Sequence, residues 1–559
     1  MKSILFIDYV ILVLYLLLTL GVGFYFMRFN KGESDFFIGG NKIPWLVAGL
    51  SSFMSGFSAW TFTGAAGIAY KEGITAILMY LGTAISFFIG YLVFAAPWRR
   101  TRVSSVMEYL NQRYNEPTRQ IFSWSSILFQ LFMAGSVLFG LGVFLSSISG
   151  FPLFWTIVIA GLIILAYCFL GGLWAVMITD FIQGIILVPF TIVMFFMALA
   201  KVGGISAFFS SLPAQLLTLG HSEKSMFTYI LCFGLVNFFA YNTSVNAQRY
   251  FSVDSERSAK KVALFTSLMF FFGTFLWFIP PMAMRILYPN IAEIFPNLPN
   301  PEEGAYALAS LTLLPNGLIG IMLAAIFSAS MSSLSSFYNM HSAILSKDIF
   351  QTLFKINRDR SILLLGRLTT LAVGLLVPTI AIVMASSGES VFVTMLTFNT
   401  IISLAYGPPA LLGLIERKAP HFSAIVSFSV SLILGILTSF VFQWNFVARV
   451  FLIIPMGILV YYACIMLKEK NSKYVQPRNI FYQKLDTPID LAHEVGETES
   501  ITQTVFRFLS RTTLLIGLVS LILIFFIPRA DHGSLLIYIG VTISFGVAFY
   551  FMSQKNRGN

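Results

Sequence analysis

The chain has 559 residues, 57% of them hydrophobic and 11% charged, with 35 Lys and Arg against 24 Asp and Glu and a formal net charge of +11. A mean hydropathy of +0.82 excludes an ordinary water-soluble protein, because so few charges cannot cover so much apolar surface. The basic excess does not indicate nucleic acid, since cytoplasmic loops of membrane proteins are enriched in Lys and Arg. The three cysteines, Cys168, Cys232 and Cys464, are too scattered for a disulfide framework or a CxxC metal site.

Apolar blocks of about twenty residues, enough to cross a hydrocarbon core of roughly 30 Å, fall at 4–27, 43–70, 74–97, 119–149, 153–172, 178–200, 226–250, 261–287, 308–345, 361–386, 390–416, 421–442, 446–467, 511–528 and 533–553. The expected fold is an all-α polytopic membrane protein with about 15 transmembrane helices. The first block is too long for a signal h-region and has no small-residue cleavage site. With the N-terminus outside, 28 of the 35 basic residues fall in odd-numbered loops, at the span ends that border them, or in the C-terminal tail, which fits the positive-inside rule in that orientation only. The chain is thus expected as a multi-pass cell-membrane protein, plasma or inner, with its C-terminus in the cytoplasm. Between the spans, 468–510 reads as a solvated cytoplasmic loop, and the proline-rich, acidic stretch 289–303 as a lid or packing loop.

Two spans are unusual for helices in lipid. The second, AGLSSFMSGFSAWTFTGAAG, crowds Ser51, Ser52, Ser55, Gly56, Ser58, Thr61 and Thr63 at its middle. The seventh, GLVNFFAYNTSVNAQRY, carries Asn237, Asn242, Thr243, Ser244 and Asn246. They open two five-span sets, 43–200 and 226–416, as interrupted helices do in transporters built from inverted repeats, where freed carbonyls hold a cation at the midplane. The same small residues also suit close helix packing. The expected divisions are therefore 1–42, an extra span and loop; 43–200 and 226–416, the two five-helix repeats; 421–467, two further spans; 468–510, the loop; and 511–559, two last spans and a tail.

A third segment, GLIGIMLAAIFSASMSSLSSFYNMHSAILSKDIF, spaces Ala329, Ser332, Ser333 and Ser336 at i, i+3, i+4, i+7, one helical face, with Ser335 flanking it. Serines can satisfy themselves on the carbonyl one turn earlier; alternatively, neutral oxygens hold a hard monovalent cation such as sodium. Among the acids only Asp180, in AVMITDFIQGIILVPF, lies well inside an apolar block, with no Lys or Arg expected at mid-span, so its charge is expected to be unpaired there. Convergent catalytic groups are missing, which argues against a membrane enzyme.

At these segments the sequence resembles the sodium/solute symporter family, which includes sodium–sugar and sodium–proline transporters with a LeuT-type core. The likeness runs from about Ile7 to Ile465 through ESDFFIGGNKIPW, GGLWAVMITDFIQ, NAQRYFSVDSERSAKK and LAAIFSASMSSLSSFYNMHSAILSKDIF. It implies a sodium site made by the Met54, Phe57 and Ala329 carbonyls with the Ser332 and Ser333 hydroxyls. Some members, notably sialic-acid transporters, have a second site, matched here by Asp180, Ser332, Ser335 and Ser336, so two sodium ions per cycle are expected.

Ser55, Ser58, Trp60, Thr61, Tyr80, Gln130, Asn237 and Tyr241 are the expected solute-binding residues, with Phe239 a further ring. Compared with the sugar branch, Thr61 and Leu81 replace a Gln and a Glu; Trp60 matches the proline branch, but Gly56 replaces its Asp. Span 119–149 offers Gln130 and no Arg to grip a carboxylate. The reading is sodium-coupled import, by alternating access, of a small solute that is sugar-like or otherwise neutral. The alternatives are an amino acid or monocarboxylate (including sialic acid) symporter and, more remotely, a membrane substrate sensor. Expected partners are the solute, sodium and the lipid bilayer, with no nucleic acid and no obligatory protein partner evident.

Overall fold

The structure, a computed structural model, describes residues 4–26, 39–170, 173–218, 226–351, 359–467, 469, 471–495, 499–525, 529 and 532–554. Residues 33–38 and 171–172 of the motifs quoted above lie outside them. The described residues form helices and contain no strand. In chain order these are α1 (Phe6–Phe26), α2 (Trp45–Ser55), α3 (Ala59–Phe62), α4 (Gly64–Glu72), α5 (Ile74–Arg100), α6 (Val106–Arg113), α7 (Glu116–Ser149), α8 (Leu153–Leu170) and α9 (Leu173–Lys201). Then come α10 (Ile205–Ser211), α11 (Met226–Tyr241), α12 (Ser244–Ser252), α13 (Glu256–Leu287), α14 (Ala305–Leu313), α15 (Leu318–Gln351) and α16 (Asp359–Ser386). The last are α17 (Val391–Ile415), α18 (Ser423–Val441), α19 (Phe446–Ile465), α20 (Ser472–Asp486), α21 (Glu499–Ile522) and α22 (His532–Gln554). Among the described residues, twelve helices are long and apolar enough to cross a membrane. Shorter apolar helices at Phe6–Val22, Trp45–Ser55 and Leu153–Cys168 fall on three of the remaining expected spans.

Local chemistry sets the ends of these helices. Asn115 caps α7 through its side chain to Thr118 N at 2.9 Å, Pro117 occupies the first turn, and Gly150 (φ 72°) ends the helix. The Ser255 hydroxyl caps α13 on Ser258 N. Both unusual spans are indeed broken. Between α2 and α3 the chain leaves the helix at Gly56 and resumes at Ser58, whose hydroxyl accepts from Trp60 N at 3.3 Å. A Cβ at Gly56 would stand 2.9 Å from Tyr241 Cε1, so a larger residue there would push that ring. Between α11 and α12 the break falls at Asn242–Thr243. Trp98 Nε1 donates to Asn242 O at 2.8 Å, and Asn242 Nδ2 donates to Ser86 O at 3.0 Å. The Trp98 side chain thus satisfies a carbonyl of the interrupted backbone, and the Asn242 side chain ties the break to α5, the kind of compensation that breaking a helix inside a membrane requires.

The serine-rich α15 is the innermost element. Every residue from Leu318 to Ser336 is buried, and α1, α2, α7, α9 and α16 pack around it.

Two expectations are corrected. Residues 468–510 are not simply a solvated connector: α20 buries Phe481, Tyr482 and Leu485, and α21 begins at Glu499, twelve residues before the expected span. Helix α20 is docked by Arg113, which donates to Tyr482 OH at 2.7 Å, and the segment after it by Arg102, which grips Glu494 through two nitrogens at 2.6 and 2.9 Å. Its few apolar residues were masked by the surrounding charge. Second, Arg99, Arg113 and Arg249, counted as loop residues, are buried. The stretch 289–303 packs on the protein, with Glu302 3.6 Å from Lys71 and Glu303 accepting from Ser390 Oγ at 2.9 Å.

Candidate functional site

The break in the second span brings the Met54, Ser55 and Phe57 carbonyls together, Met54 O also accepting from Phe57 N at 3.2 Å, and α15 supplies the group that meets them. Ser333 Oγ lies 2.8 Å from Phe57 O and 3.4 Å from both Met54 O and Ser55 O. One hydroxyl proton cannot serve three carbonyls, so this is a convergent set of neutral oxygens of the kind that suits a hard, weakly charged cation. Met54, Phe57, Ala329 and Ser333 are all buried. The next residue on α15, Ser330, accepts from Ala59 N at 2.9 Å and so ties α15 to the start of α3. Among the described residues no three His, Cys, Asp or Glu side chains converge as a metal site.

A second polar cluster lies beside the first. Asp180 on α9 is fully buried and accepts from Ser51 Oγ at 2.6 Å. Its charge is not unpaired, contrary to expectation: Arg249 Nη2 stands 3.6 Å from Asp180 Oδ2, and both side chains are inaccessible to solvent. Arg249 also donates to Ser51 Oγ at 3.2 Å and, through Nη2, to Ser55 Oγ and Ser336 Oγ at 2.8 Å each. The Ser332 hydroxyl neighbours the Asp180 carboxylate without hydrogen-bond geometry, so Ser332 Oγ and Asp180 Oδ1 are both buried without a partner. Ser335 instead donates to Ser332 O at 2.9 Å, the self-satisfied state open to any helical serine. Of the four expected second-site residues, Asp180 and Ser332 present free oxygens, Ser336 is engaged by Arg249, and Ser335 is turned to its own helix.

Next to Ser333 is a cavity of about 120 Å³, lined by Ser55, Ser58, Gln130, Tyr241, Asn246, Ser333, Asn399, Ser403 and Tyr406 among others. Gln130 Oε1 is buried without a partner. A smaller space of about 30 Å³ shares Gly56, Ser58, Tyr241, Met395 and Asn399 with it and adds Trp60, Tyr80 and Asn237. Above this space the Trp60 ring stacks between Phe392 (5.5 Å) and Tyr80 (5.9 Å). On the other side, Gln130 and Tyr406 also line a third space of about 40 Å³ that reaches Ser104 and Ser105. Seven of the eight expected solute residues therefore line a set of neighbouring cavities that share walls. Thr61 does not; its hydroxyl lies 3.5 Å from Tyr80 OH and lines neither space. Phe239 is packed against Gly407, where a Cβ would come within 2.4 Å of it.

Arg249, Ser51, Asn246 and Asn399 were missed from the site. A signal existed for two of them: Asn246 and Arg249 are spaced i, i+3 on α12 and face α2, where Asn246 Oδ1 accepts from Ser52 Oγ at 3.1 Å. Asn399, whose Oδ1 accepts from Ser403 Oγ at 2.7 Å, sits in an apolar span with no comparable pattern.

Comparison with known proteins places this geometry in context. Residues 36–430 match the family described as the sodium:solute symporter family. The sodium/sialic acid symporter SiaT of Proteus mirabilis is 29% identical over 443 residues, covering 77% of this chain and 88% of that one. The sodium/glucose cotransporter of Vibrio parahaemolyticus is 27% identical over 451 residues, 75% and 83% of the two chains. Sodium/proline symporter 2 of Staphylococcus saprophyticus is 25% identical over 400 residues, 67% and 75% of the two. The solved substrate-bound, outward-open state of a Na+-coupled sialic acid symporter superimposes with a TM-score of 0.73 at 25% identity, covering 84% of this chain and 99% of that one.

Proposed function

The chain belongs to the sodium:solute symporter family, making it a sodium-coupled membrane transporter and not an enzyme, and on that premise we propose that it imports a small, uncharged polar solute, sugar-like or otherwise neutral. The observation that carries this reading is the cavity beside Ser333: its described lining side chains are hydroxyls, amides, thioethers, hydrocarbons and aromatic rings, with no charged group. Gln130, Asn237 and Asn399 offer amide donors and acceptors, and Tyr241 and Tyr406 offer faces and hydroxyls, the combination that orients a neutral polyol or amide. A second reading, a monocarboxylate including sialic acid, is favoured by relatives named as sodium/sialic acid symporters.

Sodium in this scheme binds between Met54, Phe57, Ala329, Ser332 and Ser333. A second ion would use Asp180, Ser332, Ser335 and Ser336, supported by the two unpartnered oxygens at Asp180 and Ser332. For that, Arg249 has to yield part of its hold on Ser336, and Ser335 has to rotate from its own backbone. The ions and solute bind cooperatively, each raising the affinity for the other by the same factor. Fifteen crossings, the five-plus-five inverted repeat at 43–200 and 226–416, the flanking divisions 1–42, 421–467, 468–510 and 511–559, and an outside N-terminus with a cytoplasmic C-terminus complete the proposed architecture.

Uptake by proteoliposomes of a panel of labelled sugars, polyols, amino acids and sialic acid, under sodium and potassium gradients, tests the solute. Neutral solutes are expected to move with sodium; if sialic acid alone does, the second reading replaces the first. For stoichiometry, the Hill slope for sodium in Asp180→Asn decides. A slope that stays near two removes the second site.

A further inference from the structure

The N-terminal helix α1 lies outside the two proposed repeats, yet two of its buried groups, Asp8 and Tyr15, reach elements of the ion site, while a third, Thr19, bonds back to Tyr15 O at 2.9 Å. Tyr15 OH hydrogen-bonds Ser328 Oγ at 2.8 Å and accepts from Gln183 Nε2 at 3.2 Å. Ser328 immediately precedes Ala329, and Gln183 follows Asp180 by three residues on the same face of α9. A single phenol therefore links the serine-rich helix to the helix that carries the aspartate.

One end of α1 is fixed just as firmly. The Asp8 carboxylate is fully buried and accepts from Gly317 N at 2.6 Å and Gly320 N at 2.9 Å through Oδ1, and from Asn316 Nδ2 at 3.2 Å through Oδ2. The two glycine amides are backbone donors at the start of α15, left without partners within the helix itself. Asp8 thus caps α15 from another helix, with its negative charge at the positive end of the dipole. Contact here is at backbone distance: a Cβ on Gly320 would stand 2.8 Å from Asp8 Cα and from Asp8 O. The stretch of α15 from Leu318 to Ala343 contains no proline. A displacement at Ser328 is therefore carried five residues, about 7.5 Å along the axis, to Ser333.

We propose that α1 is a positioning element for sodium binding, with Tyr15 as the residue that holds α15 in register with α9. Tyr15 does not touch the ion. Its hydroxyl fixes where Ala329, Ser332 and Ser333 stand relative to the Met54 and Phe57 carbonyls and to Asp180. The inference rests on the sodium-site reading above.

The test is Tyr15→Phe, which keeps the ring and removes only the hydroxyl. The sodium concentration for half-maximal uptake at saturating solute is expected to rise about tenfold, because the hydroxyl's two buried hydrogen bonds, with Ser328 and from Gln183, are both lost. The solute KM at saturating sodium and the thermal unfolding midpoint are expected to stay within twofold and within a few degrees, respectively. Ser328→Ala removes one of these two bonds from the other side and is expected to raise the same constant about threefold, with no further rise when it is added to Tyr15→Phe. If Tyr15→Phe is not recovered in the membrane, Ser328→Ala alone decides.

An unchanged sodium dependence in these variants overturns the proposal, as does an equal rise in the solute KM at saturating sodium, which indicates general damage. Ser333→Ala measured in parallel separates the two levels. If it shifts sodium affinity while Tyr15→Phe does not, only the role of α1 fails. If Ser333→Ala also leaves sodium affinity unchanged, the ion-site reading fails with it.

Discussion

Replacing Arg249 by alanine strips the cation from a fully buried carboxylate. At the observed 3.6 Å between Arg249 Nη2 and Asp180 Oδ2, two unit charges in a medium of effective dielectric near 20 attract by about 5 kcal/mol. Desolvation of both ions offsets much of that for the intact pair, but removing one partner leaves the other buried and uncompensated, a loss of about 3 to 5 kcal/mol. The guanidinium also holds Ser51, Ser55 and Ser336, so their hydroxyls lose a donor at the same time. Arg249→Ala is therefore expected to lower the thermal unfolding midpoint of the detergent-solubilised protein clearly in potassium. The loss should be smaller in sodium, because an ion near Asp180 takes over the compensation. The double variant Asp180→Asn/Arg249→Gln, which removes both charges and keeps polar shape, is expected to recover most of the stability and to lose the sodium effect. A double variant as unstable as the single one, or a single variant as stable as the parent, refutes the pairing argument.

Ser333→Ala deletes the hydroxyl that sits among the Met54, Ser55 and Phe57 carbonyls and is expected to raise the sodium concentration for half-maximal uptake about three- to tenfold; a change confined to the solute KM would contradict that assignment. Glu303 gives a pH prediction: burial pushes its carboxyl up to about 7, against the opposing hydrogen bonds from Ser390 and from the Val391 and Phe392 amides. A raised folded-state pKa means that the folded protein binds this proton more tightly. The stability it contributes is full at acid pH and is lost as pH rises from the ordinary glutamate range through about 7, on the order of 3 kcal/mol in all. Glu303→Gln should flatten the thermal midpoint between pH 5 and 8, and an unchanged slope assigns the dependence elsewhere. Arg102→Ala releases the bidentate grip on Glu494 and the bonds to the carbonyls of Lys484, Thr487 and Pro488. Hydrogen exchange at 487–495 should accelerate while global stability changes by less than about 1 kcal/mol; persistent protection there rules out this docking role.

Much of the site was legible because it is made of violations of lipid chemistry. Serine, glycine and asparagine crowded in an apolar span mark a backbone that leaves the helix, and both breaks fall within those clusters, at Gly56–Ser58 and at Asn242–Thr243. The one-face spacing of Ala329, Ser332, Ser333 and Ser336 likewise located the helix that meets the first break. What periodicity does not give is the identity of the facing helix. Arg249 stands at the very end of the block 226–250, beside an expected cytoplasmic loop, so counting basic residues by loop absorbed it, and only packing shows that α12 turns it inward onto Asp180. Thr61 shares the polar cluster with Ser58, but α3 is a single turn, and its direction decides which side chains face the cavity. In α20 three buried apolar residues, Phe481, Tyr482 and Leu485, were outweighed by charge in a segment whose amphipathic face has a partner only in three dimensions.

Coupling itself is tested by the reverse experiment. Proteoliposomes loaded with the transported solute are diluted into solute-free medium with equal radioactive sodium on both sides and the membrane potential clamped. The outward solute gradient is expected to drive sodium out against its own rising gradient, with the effect lost in Ser333→Ala at sodium concentrations that still saturate the parent. Solute that runs down its gradient with no net movement of sodium would contradict sodium symport by this chain.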